Sequence, residues 1–363
     1  MTTRRALVLA AVAAAALLAG GCSTLGYYYQ AARGQLALVS AAKPVAQVID
    51  DPATPEDLRA RLETARAIRA FASRELQLPD NAAYRKYTDL QRPFVVWNVF
   101  AAPEFSVRPR QWCFPVAGCV AYKGWFEEAK AEALAGELRE QGYDVLVLGV
   151  PAYSTLGWFD DPLLSTFIGY PRAEVARLLF HELAHQVAYA SDDTTFNESF
   201  ATAVEREGVR RWLAVAGSET ERAEFESMDA RKRDFVALVT RTRERLEALY
   251  AQPLAPDAMR TAKAAAFDRM RSEYEDLKRA WGGFRGYDRW FAQPLGNAHL
   301  ASVASYTEMV PGFEGMLAAH RGDLPAFYAE AVRLAKLPAA ERQRALHGYA
   351  TGARGSAIAG GGT

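Results

Sequence analysis

His181-Glu182-Leu183-Ala184-His185, with Asn197-Glu198-Ser199-Phe200-Ala201 beginning twelve residues past the second histidine, decides the reading of this chain. Two histidines four apart on a helix project from one face about one turn apart, a spacing that suits a single metal ion. Glu182 lies between them, where a carboxylate can act as general base towards a water on that metal. Glu198, on what reads as the next helix, would complete three protein ligands and leave a fourth position open, the arrangement of a catalytic zinc rather than a structural one. The chain has only five histidines in 363 residues, so its composition gives chance odds for this pattern of roughly one in two hundred.

The surroundings suit two neighbouring helices. Tyr170 to Ala190 reads as the first, with Pro171 near its start and Leu178, Leu179, Leu183 and Val187 as its core stripe. Ser191-Asp192-Asp193-Thr194-Thr195 offers several capping residues, and a second helix is expected from about Phe196 to Ala214. So short a connection makes the helices neighbours. Glu205 lies seven residues past Glu198, two turns along the same face. It reads either as an outer partner for a ligand histidine's second N–H or as a surface glutamate of an amphipathic helix.

Composition is that of an ordinary globular chain: half the residues are hydrophobic, and 43 Lys and Arg balance 43 Asp and Glu. There is no basic field of the kind that marks a nucleic-acid partner. At the N-terminus, Arg4-Arg5 precedes an apolar run from Ala6 to Leu18 and then Ala19-Gly20-Gly21-Cys22. That is a signal-peptide pattern, too short for a spanning helix of about 20 residues. It resembles a bacterial lipoprotein signal over 1–21 with lipidation at Cys22, the alternative being an ordinary secretory peptide cut near Gly20. Ser23 after the cysteine resembles an outer-membrane address, which implies a cell-envelope lipoprotein facing the periplasm and held to the membrane by its N-terminal lipid. Of the three cysteines, Cys113 and Cys119 remain, flanking a turn-like stretch, and an even pair in an exported chain reads as a disulfide.

Elsewhere the pattern is mostly helical. Tyr27 to Leu78 carries apolar residues at helical spacing, with Thr54 expected to cap the segment that begins Pro55-Glu56-Asp57. Between Arg92 and Val150, β-branched and aromatic runs at Phe94–Phe100 and Asp144–Val150, a hairpin around the cysteines and a helix from about Trp125 to Gln141 predict a small mixed sheet covered by helices. Glu219 to Ala280, broken near Pro253 and Pro256, reads as a long helical hairpin, and three further helical stretches reach about Tyr349. The expected fold is α+β and predominantly helical, with one domain over 22–350 ending in a C-terminal helical bundle and a flexible Gly/Ala-rich tail over 351–363.

His-Glu-Leu-Ala-His-Gln followed by Asn-Glu-Ser-Phe-Ala-Thr-Ala-Val-Glu resembles the gluzincin metallopeptidases, especially zinc aminopeptidases whose helices read H-E-x-x-H and N-E-G-F-A-x-x-x-E. The resemblance implies a zincin-like core and one Zn2+ per chain. His181, His185 and Glu198 fall on the ligand positions, Glu182 on the base and Glu205 on the outer acid. The remainder is similar to a bacterial lipoprotein family of presumed aminopeptidases, through Gly149-Val150-Pro151-Ala152-Tyr153-Ser154-Thr155-Leu156-Gly157-Trp158-Phe159-Asp160-Asp161. The gap from His185 to Glu198 is shorter than in the large aminopeptidases, and their amine-holding Gly-x-Met-Glu-Asn motif is absent. In its place, Gly149, Tyr153, Asp160 and Asp161 are candidate substrate-binding residues, since a strand edge there could pair with an extended peptide and either aspartate could bind an amine.

An acyl-transfer oxyanion needs a donor besides the metal. Tyr306 and His299 are the candidates. Tyr306 resembles a tyrosine of the family, although among Leu300, Val303 and Val310 it also suits core packing. The resemblance implies hydrolysis of peptide substrates from the amino end. The residues themselves leave open an endopeptidase with the same chemistry, or an inactive peptide-binding lipoprotein.

Overall fold

A computed structural model describes residues 25–114 and 118–352. The expected leader, the lipidation site Cys22, the hairpin tip 115–117 and the tail from 353 onward lie outside the described residues.

Helices α1 (25–40), α2 (Val45–Asp50) and α3 (Glu56–Arg74) open the chain. α3 turns Leu62, Ala65, Ile68, Phe71 and Ala72 into the main core, and Glu56 and Asp57 lie in its first turn, at the positive end of the helix. Thr54 does not cap it. Its hydroxyl donates to the Val48 carbonyl at 2.7 Å, and Pro55 holds the N-cap position.

β1 (Lys43–Pro44), β2 (Lys86–Thr88) and β8 (Leu163–Leu164) form a small sheet in which β2 runs antiparallel to β1 and parallel to β8. Strands this short carry no usable alternation, so sequence reasoning missed them. The main sheet has β3 (Val96–Pro103) between β6 (Tyr122–Trp125) and β7 (Tyr143–Val150). Both pairings are antiparallel, which corrects the mixed sheet expected over 92–150. Alternation along β3 sends Trp97, Val99 and Ala101 towards Ala131, Ala135 and Leu138 of α4 (Glu128–Glu140). Phe100 faces the other way, with Leu146, towards Ala298. With both faces covered, β3 is apolar almost throughout. β4 (Trp112–Phe114) and β5 (Gly118–Val120) make a hairpin with Cys113 opposite Cys119 in register, and the two are joined by a disulfide.

α5 (Arg172–Ala184) and α6 (Thr194–Ala216) pack side by side in the main core. α7 (Glu219–Tyr250) and α8 (Pro256–Ala280) are the long hairpin, which has its own core around Phe235, Leu238, Met270 and Tyr274. The expected three closing stretches prove to be five helices: α9 (Asp288–Phe291), α10 (Asn297–Thr307), α11 (Val310–Ala319), α12 (Leu324–Ala335) and α13 (Ala339–Ala350). α10 is the wedge that matters for the site, since Leu300 enters the hairpin core while Ala298 and Tyr306 face the sheet. Among the described residues, no helix is long and apolar enough to cross a membrane.

Candidate metal centre

α5 ends sooner than its periodicity suggests, at Ala184 rather than Ala190. His185 is its C-cap, yet it keeps helical dihedrals (φ −59°, ψ −21°), so the one-turn relation between the histidines survives. The chain then leaves the helix, and Asn197 holds the connection: its side-chain oxygen accepts the Ala190 N–H at 2.7 Å and its amide donates to the Ala190 carbonyl at 2.9 Å. Asp193 caps α6 by accepting the Phe196 N–H at 2.9 Å, and its other oxygen meets buried Arg342 from α13 at 2.9 Å. Asp192 accepts the Cys119 N–H at 2.6 Å, which ties the disulfide hairpin to the same connection.

These contacts set Glu198 against both histidines. Its Oε2 lies 3.2 Å from His181 Nε2 and 3.7 Å from His185 Nε2. The three ligand atoms fall within 4.8 Å of one another, and all three residues are buried. Two imidazole nitrogens and a carboxylate converging on one point fit a divalent metal ion. Burial pushes His181 down, but Glu198 and Glu205 override it and raise its pKa to about 10, so the carboxylates hold a proton where a metal cation would serve the same acceptors. Burial lowers His185 to about 4, which leaves its nitrogen lone pair free near neutrality.

Glu205 is 1% exposed, not a surface glutamate. Its Oε2 lies 2.8 Å from His181 Nδ1, and Arg177 and Lys232 each reach the carboxylate at 3.3 Å. Burial opposes its ionisation, yet Lys232, Arg177 and His181 together hold the carboxyl well below the usual range. A carboxylate on Nδ1 turns Nε2 towards the metal position. Glu182 is pushed up to about 8 by burial, with His181 opposing and Glu198, Asp161 and Glu205 adding to the rise.

Tyr306 stands beside the ligands, its ring stacked on His181 at a centroid distance of 6.4 Å. α10 is anchored at both ends to place it there: the Asn297 N–H donates to Asp144 of β7 at 2.6 Å, and the Met309 N–H donates to the Ser199 hydroxyl of α6 at 3.1 Å. His299 is used differently. Its Nδ1 accepts the Gly296 N–H at 3.2 Å at the start of α10, and its ring packs on Trp290.

Of the four candidate substrate residues, Tyr153 and Asp161 lie close enough to interact, while Gly149 and Asp160 are engaged elsewhere. Gly149 lies on edge strand β7 opposite Trp97, and the Phe94 ring occupies the space a Cβ would need. Asp160 lies at the surface, 3.3 Å from Lys86. Asp161 is buried and accepts the Thr155 N–H at 2.8 Å, and Tyr153 is partly buried with its ring against Phe126. Sequence reasoning missed Arg177, Lys232, Tyr122 on β6 and Tyr84. The Tyr122 and Tyr84 hydroxyls are raised well above the tyrosine range by burial, with Glu198 the next cause for Tyr122 and Glu182 for Tyr84. Nothing in local spacing distinguishes these residues from packing positions.

The family profile described as "Putative aminopeptidase" matches residues 26–346. No curated protein and no solved structure matches the chain. With a match over most of its length, the chain belongs to the putative aminopeptidase family.

Proposed function

We propose that this protein is a zinc-dependent aminopeptidase of the cell envelope, with one zinc held by His181, His185 and Glu198. The observation that carries the reading is the convergence of those three ligand atoms within 4.8 Å, with Glu182 adjacent in the same helix. The family supports peptidase activity from the amino end. When bound, zinc would polarise the scissile carbonyl and make a water acidic enough to attack near neutral pH. Glu182 accepts that water's proton and passes it to the leaving amine. Tyr306 donates a hydrogen bond to the developing oxyanion. Glu205 keeps His181 oriented and its Nε2 available.

The peptide itself would lie along a sheet edge near Gly149 and Tyr153, an extended segment pairing with β7, which has no further strand on its outer side among the described residues. The signal pattern ending at Cys22 supports a lipid anchor, with the site facing the periplasm.

The test is metal analysis together with kinetics on amino-acyl reporter substrates. One zinc per chain and hydrolysis are expected, with Glu182→Gln keeping the zinc and losing about 10²–10⁴-fold in kcat. A zinc-loaded wild type that cleaves neither free-amine nor blocked peptides would overturn the reading.

A further inference from the structure

Four polar side chains from three stretches come together, and three of them, Tyr84, Tyr153 and Asp161, lie within reach of the charge of Glu182. Gln35 comes from α1, Tyr84 from the segment before β2, and Tyr153 and Asp161 from the loop after β7. Tyr84 is 3% exposed and sits in the left-handed region at φ 61°, which side chains of its size rarely adopt. Its N–H donates to the Asp161 carbonyl at 2.6 Å, and Arg69 holds the preceding turn through the carbonyls of Ala83 at 2.9 Å and Pro79 at 2.8 Å. So constrained, its hydroxyl is buried without a hydrogen-bond partner, within reach of the charges of Glu182 and Asp161.

The same condition recurs around it. The Tyr153 hydroxyl is buried and unpartnered, and Asp161 and Glu182 both act on it. Gln35 is 7% exposed, and neither its amide oxygen nor its nitrogen makes a hydrogen bond, although it lies close enough to Asp161 to favour the ionised form. Asp161 is 3% exposed. It accepts from the Thr155 N–H and hydroxyl, while neighbouring Asp160 takes Lys86. Among the described residues, Asp161 has no ion-pair partner.

Buried polar groups are ordinarily paired, and a buried carboxylate ordinarily has a cation or loses its charge. Four buried polar atoms with no protein partner, around one carboxylate with no ion-pair partner, leave hydrogen-bonding capacity that a cationic ligand can take up. One carboxylate with hydroxyl and amide groups is too sparse a donor set for a divalent metal. It suits a primary ammonium, whose three N–H donors need a charge and neutral acceptors. Because the cluster adjoins Glu182, an ammonium there belongs to the residue whose peptide bond is being cut.

We propose that Asp161, with the Tyr84 and Tyr153 hydroxyls and the Gln35 amide, binds the free α-ammonium group of the peptide substrate. The proposal rests on the peptidase reading above and deepens it: Asp161 is what makes the enzyme an exopeptidase.

The test uses the zinc-loaded chain with an alanyl arylamide and its N-acetyl counterpart. The wild type should prefer the free amine. Asp161→Asn should lower kcat/KM for the free amine at least about 30-fold, mainly through KM, and so collapse the free-to-acetylated ratio. Tyr84→Phe keeps the ring and its packing, and should cost about 5–10-fold on the free amine alone. In the zinc-loaded Glu182→Gln background, calorimetry should show an alanyl dipeptide amide binding more tightly than its acetyl form, and Asp161→Asn should erase that difference. If the wild type is active on free amines and Asp161→Asn and Tyr84→Phe both keep its free-to-acetylated ratio, the proposal fails while the aminopeptidase reading stands. If the wild type shows no preference for the free amine, or no activity, that reading falls and takes the proposal with it.

Discussion

Nδ1 of His181 stands 2.8 Å from Oε2 of Glu205, a carboxylate held in turn by Arg177 and Lys232. One helix thus brings Glu198 to the histidine pair and, two turns on, places Glu205 against the far nitrogen of His181. Glu205→Gln keeps the shape and removes the charge. Metal affinity should fall about 10–100-fold, read by competition with a chelator of known strength. An unchanged affinity would reduce Glu205 to a partner of Arg177 and Lys232.

Tyr306→Phe leaves the ring stacked on His181 and removes only the hydroxyl. If that hydroxyl stabilises the oxyanion, kcat should drop about 10²–10³-fold with zinc content unchanged. Wild-type kcat in the variant would assign the tyrosine to packing.

The disulfide is expected to act through Asp192, which accepts the Cys119 N–H at 2.6 Å in the connection between the two metal-ligand helices. With a sequence separation of only 6, its chain-entropy contribution is about 2 kcal/mol. The Cys113→Ser, Cys119→Ser double variant should lose about that much in urea unfolding and bind metal more weakly. Loss of stability with full metal affinity would show that the hairpin does not support the site.

Asp161 should leave a signature in the pH dependence of stability. Burial raises its pKa from 3.8 to about 6, with the hydrogen bonds from Thr155 and the nearby Gln35 amide holding it back. A value raised in the folded state favours the protonated form. Its stabilising contribution is complete below 3.8 and is lost as pH rises through about 6, a change on the order of 3 kcal/mol. Between pH 4 and 7 the metal-free wild type should therefore lose stability relative to Asp161→Asn. Parallel urea-denaturation curves for the two across that range would remove Asp161 as the cause.

The parts of the site legible in the sequence are those set by short-range geometry. A four-residue spacing on a helix places His181 and His185 on one face wherever the helix lies. Asp193 can cap α6, and Pro256 can begin α8, from purely local chemistry.

Tertiary structure decided the rest, because burial and distant polar partners leave no trace in spacing. Asn197 holds the backbone of Ala190 in the connection that follows α5, a contact no helical pattern encodes. Asp160 and Asp161 are adjacent and chemically identical in sequence, yet one meets Lys86 at the surface and the other is buried. Glu205 had two readings until Arg177 from one helix and Lys232 from another closed around it. The sequence by itself determined a metal-ligand pattern and the two helices that carry it. Only the fold decided which carboxylates keep a cation, which turn inward without one, and which tyrosines surround Glu182, since each depends on groups that are distant in the chain and adjacent only once the core has formed.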